Sequence, residues 1–415
     1  MERVEVLVVG AGPAGSTVAD RLARRGHEVL VLEEHQRVGH PVQCAGLVSA
    51  RVLELAGSRS MVRTAVHGAT VFSPSLRAVS FKAPEPRAFV IDRAGLDVHL
   101  ADRAARAGAR FATGVRFDGL DGAPNGAAVV RATASDGTER RYEAQLVIGA
   151  DGVTSGVARA FRLRRPVEIL PAFEAEFPQS PGDPDQVEVY LGNLLSPGLF
   201  GWWIPDGAGG ARIGVAVGAG STTARAYFDR LVATIERRHG RPLRNPTGFI
   251  VSGIPIGTVP RLHGHRVLLV GDAAAQVKPL SGGGIFTGMR GAELAAQVAD
   301  AALRSGEPTS AALAPYDALW RAELGDEFQK ALYLRRLFTR LSDPEFERVL
   351  EALEGSGMRE SIVAFGDIDF PTHVARQLLR QSPSLVRLFP KALGAWLGGS
   401  GSRAPDLDLG PRRQA

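Results

Sequence analysis

Cysteine is almost absent from this sequence of 415 residues, and the single example is Cys44. One thiol cannot close an internal disulfide, and by itself it cannot hold a zinc ion or an iron–sulfur cluster. A disulfide framework and a cysteine-held metal centre are therefore excluded. Cys44 is then either a small buried apolar residue or a thiol placed beside a cofactor.

Long apolar runs are also missing, although hydrophobic residues make up 45% of the chain. No stretch reaches about eighteen apolar residues, so the sequence predicts no membrane-spanning helix. The opening residues, MERVEVLVVGAG, lack the apolar segment and cleavage site of a signal peptide, and we expect a cytoplasmic location.

Lysine is scarce among the 49 basic residues, and the arginines are scattered along the chain. No basic tract is interleaved with aromatic residues, so we expect no nucleic-acid partner. The net charge of +5 suits peripheral contact with the inner face of an anionic membrane, but a solvated, arginine-rich surface is the simpler explanation. We also expect no metal site, because His263 and His265 precede a strand without a third ligand.

The first residues of the chain have the pattern of a strand–helix–strand unit around a turn with GxGxxG spacing, at Gly10, Gly12 and Gly15. These glycines permit a tight turn, close approach of the backbone to a pyrophosphate, and close helix–strand packing. Glu33 ends the second strand, where its carboxylate can accept hydrogen bonds from ribose hydroxyls and would repel a 2′-phosphate. The unit predicts a dinucleotide site, and a glycine-rich connection without a ligand is the alternative.

Two further segments indicate which dinucleotide binds. LVIGADGVTS, at 146–155, is a strand followed by a sharp turn, and RVLLVGDAAAQVKPLSGGGIFTGM, at 266–289, is a strand followed by a glycine-rich turn and a helix. Asp272 can accept a hydrogen bond from a ribityl hydroxyl. The turn 281–284 offers N–H groups to the negative charge of a reduced flavin, and Lys278 either adds a cation there or is exposed to solvent.

Together with Ile91-Asp92-Arg93, these segments resemble the para-hydroxybenzoate-hydroxylase-like flavoprotein superfamily over residues 1–310. The resemblance implies FAD as the cofactor. No second GxGxxG lies between a strand and a helix, so no separate NAD(P)H domain is predicted. The cofactor-binding residues that follow are Gly10, Gly12, Ala14, Gly15, Glu33, Cys44, Ala45, Arg93, Val115, Asp272, Gly283, Gly284 and Ile285.

Three shorter segments resemble the FAD-dependent geranylgeranyl reductase family: PVQC at 41–44, FGWWIPDG at 200–207 and PLSGGGI at 279–285. They are similar to its Pro-x-x-Cys-Gly, Tyr-x-Trp-x-Phe-Pro and Pro-Leu-Thr-Gly-Gly-Gly-Ile segments. The residues after Cys44 differ, however, from the Gly-Glu-Gly-Leu-Ser that follows the cysteine in archaeal lipid reductases. The resemblance places Cys44 near the flavin and makes Trp202, Trp203 and Pro205 substrate-binding candidates. The alternative for the tryptophans is sheet core, and since alternate strand residues face opposite sides, one tryptophan can serve each purpose.

The family resemblance implies an oxidoreductase of lipid biosynthesis that reduces isoprenoid C=C bonds by hydride transfer from reduced flavin. The substrate would be a geranylgeranyl lipid, diphosphate, pigment ester or quinone side chain, and the electron donor NAD(P)H or a ferredoxin-like protein. Cys44 is the catalytic candidate, as a proton source or as a residue that shapes the polyprenyl cavity. The main alternative is an FAD-dependent aromatic monooxygenase, followed by a halogenase and by a flavin-binding prenyl carrier without turnover.

The predicted fold class is α/β: a Rossmann-like FAD-binding domain, an inserted antiparallel-sheet substrate domain and a helical C-terminal region. The amphipathic stretch at 383–398 is either a packed terminal helix or a membrane contact. We assign the FAD-binding domain to 1–70, 88–160 and 255–310, the sheet domain to 71–87 and 161–254, the helical region to 311–398 and a disordered tail to 399–415.

Overall fold

A computed structural model of the protein describes residues 1–122, 127–164, 166, 168–218, 223–355 and 357–382. The expected tail at 399–415 and the candidate membrane contact at 383–398 lie outside these residues. The strands are β1 (Glu2–Val9), β2 (Val29–Glu33), β3 (Leu47–Val48), β4 (Val62–Val66), β5 (Gly68–Phe72), β6 (Ala78–Lys82), β7 (Ala88–Ile91), β8 (Arg110–Thr113), β9 (Val115–Leu120), β10 (Ala128–Ala134), β11 (Glu139–Gly149), β12 (Glu168–Phe177), β13 (Gln186–Tyr190), β14 (Gly201–Pro205), β15 (Ala211–Ala216), β16 (Thr247–Ile256), β17 (His263–Gly264) and β18 (Val267–Leu269).

The helices alternate with the early strands and then dominate the C-terminal part. They are α1 (Pro13–Ala23), α2 (Ala50–Ala56), α3 (Arg93–Arg106), α4 (Gly156–Ala160), α5 (Ala224–His239), α6 (Ile285–Arg304), α7 (Ser310–Leu313), α8 (Pro315–Trp320), α9 (Asp326–Phe338), α10 (Asp343–Leu353), α11 (Met358–Phe365) and α12 (Pro371–Gln381). Within the described ranges, none of these helices is long and apolar enough to cross a membrane.

The first sheet has the strand order β17-β18-β11-β1-β2-β8, with β10 paired to β11 and β9 to β10. The strands from β18 to β8 run parallel, and the pairs at the margins are antiparallel. Val6, Leu7 and Val8 of β1 are fully buried, as expected of a parallel strand whose continuous apolar run is covered on both faces. Helix α1 packs against α3 and α6. The predicted α/β fold class is confirmed.

A second sheet has the order β16-β12-β15-β14-β13-β5-β6 and is antiparallel except where β13 pairs with β5. Helix α5 packs on β12 and β15, and its Phe228, Leu231 and Ile235 share a core with the aromatic Tyr190 and Trp203. A small third sheet, β3-β7-β4, was not predicted from the sequence. It stands next to the Cys44 segment, because β3 begins at Leu47.

Several element bounds differ from the sequence-based expectations for local reasons. Helix α1 begins at Pro13, inside the GxGxxG turn, because proline at the first helical position has the helical φ and needs no hydrogen-bond donor. Strand β11 begins at Glu139 because it pairs with β10 before it enters the parallel sheet. The second sheet takes up Gly68, ahead of the boundary at 71. We otherwise keep the domain division as a proposal.

Candidate active site

The parallel strands of the first sheet end at one edge and bring distant segments together there. Gly10 follows β1, Glu33 ends β2, Ala150 follows β11 and Gly271 comes soon after β18. All four line a cavity of about 800 Å³, which we call the first cavity. Ligands of open α/β sheets bind outside the carboxyl ends of the strands, as this cavity does.

The glycine-rich turn forms one wall of the first cavity. Gly10 has φ +101°, and a Cβ on it would overlap the Ala150 carbonyl oxygen. A Cβ on Gly15 would overlap the Gly10 carbonyl oxygen, so the helix approaches the strand as closely as the spacing predicted. Gly12 precedes α1, has no atoms near its would-be Cβ and provides no side-chain cap. Pro13 has no N–H, and among the described residues the N–H groups of Ala14 and Gly15 that follow it are free to bind an anion in the cavity.

The carboxylate of Glu33 is held in place by neighbours at the end of β2. Its Oε2 accepts a hydrogen bond from Ala11 N at 2.9 Å, and its Oε1 accepts one from His35 N at 3.0 Å. Because Ala11 belongs to the glycine-rich turn, Glu33 braces that turn and lines the cavity beside it. This position suits the ribose contact that the sequence predicted.

Arg93 is a largely buried cation at the start of α3, with its side chain 11% exposed. The N-cap of α3, Asp92, accepts a hydrogen bond from Gly95 N at 3.1 Å. Burial lowers the pKa of Arg93, but Asp97 and Cys44 beside it raise that pKa by more. Arg93 forms an ion pair with Asp97. Its Nε has no hydrogen-bond partner among the described residues. An unpartnered buried donor that lines the cavity calls for an acceptor on a bound group.

Asp272 lines the first cavity from the segment between β18 and α6. Burial raises the pKa of Asp272 to about 6, and the positive charge of Arg93 limits the increase. Gly284, the residue before α6, provides no side-chain cap, so the first N–H groups of α6 are also free. Two uncapped helix starts therefore lie at this cavity, which favours a ligand with separated negative groups.

Lys278 is not exposed to solvent, which was one of the two positions considered from the sequence. Its side chain is buried, and Nζ donates hydrogen bonds to Asp369 Oδ1 and to the Ile368 carbonyl oxygen, both at 2.8 Å. Arg51 holds the same C-terminal loop through Asp367 at 2.8 Å and Asp369 at 3.3 Å. These contacts fasten the loop between α11 and α12 to Lys278, which precedes the PLSGGG turn, and to α2.

A second cavity of about 460 Å³ adjoins the first and has a mainly apolar wall. The two cavities share Gln43, Cys44, Ser252, Ile254 and Gly282, which we call the junction. Cys44 therefore lies where both cavities meet. Its Sγ is 3.4 Å from Gly46 N, which donates to it.

The structure distributes the predicted cofactor residues over three positions. Gly15 lies behind the first cavity, and Ala45 and Gly283 line the second. The other predicted residues line the first cavity, namely Gly10, Gly12, Ala14, Glu33, Cys44, Arg93, Val115, Asp272, Gly284 and Ile285.

The two tryptophans of β14 face opposite sides of the second sheet, as strand alternation allows. Trp202 lines the second cavity. Trp203 is buried in the core, where its Nε1 donates to Ser180 Oγ at 2.7 Å. Trp203 and Pro205 line neither cavity, so only Trp202 remains a candidate substrate contact.

Two charged residues that the sequence analysis overlooked contribute to the site. Glu174 on β12 lines the second cavity, and its Oε2 accepts a hydrogen bond from Trp202 Nε1 at 2.6 Å. Arg212 on β15 is buried and donates to the carbonyl oxygens of Ala45 at 2.6 Å and Ile91 at 3.2 Å. The available signal was a charge within each apolar strand, in AFEAEF and ARIGVAV, because buried charges require a partner or a function.

The first cavity fits FAD on these structural grounds. Its volume is within the roughly 300–1,000 Å³ of small-molecule and cofactor sites. The free N–H groups of α1 suit a pyrophosphate, Glu33 suits a ribose, and Arg93 and Asp272 offer a donor and a carboxyl group for polar atoms of the flavin half.

Comparison with known proteins agrees with this geometry. Residues 3–321 match the FAD binding domain family. The chain is 34% identical to digeranylgeranylglycerophospholipid reductase 1 of Methanothermobacter thermautotrophicus, over 94% of this chain and 96% of the relative.

Solved structures share the fold at lower identity. A geranylgeranyl bacteriochlorophyll reductase-like protein from Thermoplasma acidophilum superposes with a TM-score of 0.80 at 24% identity, over 96% of this chain and 99% of that chain. The p-nitrophenol 4-monooxygenase of Pseudomonas putida superposes with a TM-score of 0.64 at 17% identity, over 92% and 98% of the two chains. At these identities the likeness establishes the fold alone, so the sequence relatives decide the family. The predictions of FAD as cofactor and of an FAD-dependent reductase are confirmed, and the chain belongs to the digeranylgeranylglycerophospholipid reductase family of FAD-binding proteins.

Proposed function

We propose that this protein reduces C=C bonds of a polyprenyl lipid whose chain occupies the second cavity. The observation that carries the proposal is the mainly apolar cavity of about 460 Å³ that meets the cofactor cavity at Cys44. The name of the relatives, digeranylgeranylglycerophospholipid reductase, supports a geranylgeranyl lipid among the polyprenyl candidates.

When bound and reduced, FAD supplies hydride to one carbon of the alkene. The chain must hold the alkene beside the junction and exclude water, because an isolated alkene is a poor hydride acceptor. Leu199, Ile204 and Trp202 provide an apolar wall for the prenyl chain. Ile362 and Val363 of α11 cover another side, and the ion pairs of Arg51 and Lys278 hold the following loop in place.

Three further parts of the proposal concern what surrounds the reaction. NAD(P)H or a ferredoxin-like protein is the proposed source of electrons. Peripheral contact with a membrane is proposed because the substrate is a lipid. Cys44 is proposed to act at the alkene or to shape the cavity, since its position at the junction suits both roles.

The test is an anaerobic single-turnover experiment on the FAD-loaded protein. The flavin is reduced with dithionite, excess reductant is removed, and a geranylgeranylated glycerophospholipid is added. We expect flavin reoxidation together with a product that has gained two hydrogens for each bond reduced. Reoxidation only with oxygen and an aromatic compound, together with a hydroxylated product, would overturn the proposal in favour of a monooxygenase.

A matched pair of variants links the reaction to the second cavity. Val187 lines that cavity, so Val187→Trp should fill it and slow reoxidation by the lipid while FAD remains bound. Val251 lines neither cavity and is 74% exposed, so Val251→Trp serves as the control and should react like the wild type. Equal rates for both variants would place the lipid elsewhere.

A further inference from the structure

Among the residues that the structure describes, one carboxyl oxygen of the second cavity has no hydrogen-bond partner. Glu174 is only 2% exposed, and its Oε1 makes no hydrogen bond to any described residue. The charged and histidine side chains that also line this cavity each have a partner, and the Cys44 Sγ accepts a hydrogen bond from Gly46 N. Glu188 binds Arg238, Lys278 binds Asp369, Asp367 binds Arg51, Arg87 donates to the Val363 carbonyl oxygen, and His67 contacts backbone carbonyl oxygens. Glu174 is thus a buried acid of the cavity wall whose Oε1 can still form a hydrogen bond.

The surroundings of Glu174 orient its free oxygen. Trp202 donates to Oε2 at 2.6 Å, and the indole lies against Gly214, where a Cβ would overlap the ring. Gly214 pairs with Glu174 on one side and with Trp202 on the other. The absent side chain at Gly214 therefore allows the indole to reach across β15 to the carboxyl group.

Glu174 is also close to the junction. Its strand neighbour Ala172 pairs with Ser252, a junction residue, and Glu174 itself pairs with Ile250. Two residues of a strand span about 7 Å. A prenyl chain that places an alkene at the junction would therefore extend along the wall that carries Glu174.

We propose that Glu174 donates the proton that completes alkene reduction, which deepens and rests on the proposed function. In each turnover, a hydride from the reduced flavin forms a C–H bond at one alkene carbon, and the Glu174 carboxyl proton forms a C–H bond at the other. The π bond is consumed, the flavin loses two electrons, and Glu174 becomes a carboxylate that regains a proton from water. The alkene gains two hydrogens in total.

The protonation state of Glu174 suits this role. Burial raises its pKa to about 7, while the hydrogen bond from Trp202 and the charge of Arg212 lower it and the charge of Glu176 raises it further. Because its pKa is raised, the acid holds its proton below about pH 7 and loses it above. The rate of reoxidation by lipid should therefore fall as the pH rises through neutrality.

The test compares Glu174→Gln with Glu168→Gln in the anaerobic experiment. Glutamine can still accept from Trp202 but carries no acidic proton, so reoxidation by lipid should slow about 100-fold or more in Glu174→Gln and lose its pH dependence. Glu168 lies on the same strand and lines neither cavity, so its variant should keep the wild-type rate. A Glu174→Gln protein that reoxidises within about threefold of the wild type would overturn the proposal.

Two further measurements keep the test decisive. Infrared difference spectra of wild type against Glu174→Gln should show a protonated carboxyl band that disappears as the pH rises through about 7. Trp202→Phe removes the hydrogen bond that lowers the pKa of Glu174, so the midpoint of the rate profile should move to higher pH. Absence of the band, or an unmoved midpoint, contradicts the assignment. If no prenyl lipid reoxidises the reduced flavin of the wild-type protein, that result contradicts the proposed function instead.

Discussion

Replacement of Arg212 by methionine tests how the second sheet positions the Cys44 segment. The Arg212 side chain reaches from β15 to two backbone carbonyl oxygens. One belongs to Ala45 in the Cys44 segment, and the other belongs to Ile91 at the end of β7. Arg212 Nε also donates to Glu176 Oε1 at 3.1 Å. Methionine fills similar space but donates no hydrogen bond, so the substitution separates polar contact from volume.

The expected loss of stability follows from these contacts. Two backbone carbonyl oxygens lose a charged donor, and each acceptor left without a hydrogen bond costs about 1–3 kcal/mol of stability. The Glu176 side chain is 44% exposed, so the lost ion pair adds only about 0–1 kcal/mol. We expect Arg212→Met to lower the free energy of unfolding by about 3–5 kcal/mol, in the range found when one partner of a buried charged contact is removed.

Denaturant unfolding followed by tryptophan fluorescence measures this loss, and FAD absorbance after purification reports the state of the cofactor site. The control is Arg3→Met, because Arg3 pairs with Glu143 at the surface with its side chain 82% exposed, and its loss should cost under about 1 kcal/mol. An Arg212→Met protein as stable as that control, with full FAD content, would refute the assigned role.

Three other substitutions test the site. Glu33→Ala should raise the dissociation constant of FAD tenfold or more, since the proposed hydrogen bond from a ribose hydroxyl to this carboxylate contributes about 1.5–3 kcal/mol. Fluorescence titration that finds unchanged affinity would remove its ribose assignment. Gly15→Ala should destabilise the fold by about 1–3 kcal/mol, because its Cβ overlaps the Gly10 carbonyl oxygen; an unshifted unfolding midpoint would contradict that packing. Cys44→Ser should keep bound FAD but change the rate or extent of lipid reduction; identical products at the wild-type rate would exclude a special role for the thiol.

The sequence by itself determined the cofactor and the local elements that line its cavity. Gly10, Gly12, Gly15 and Glu33 belong to one strand–helix–strand unit, so their geometry follows from local spacing and right-handed packing. The role of the PLSGGG turn could also be predicted from the sequence, because a glycine-rich turn before a helix is a local signal for anion binding. The order of these segments also indicated the family, which the relatives confirm.

Only the tertiary structure decided the second cavity and the polar groups in its wall. Trp202 and Glu174 are 28 residues apart and meet because β12 and β14 flank β15. Lys278 meets Asp369 across 91 residues, so a lysine that the sequence could place in solvent is buried against the loop between α11 and α12. Local patterning assigns each residue to an element and a face, but it does not specify which faces pair over such distances. The sheet pairing and the C-terminal helices specify that, and with them the acid that we expect to complete the reaction.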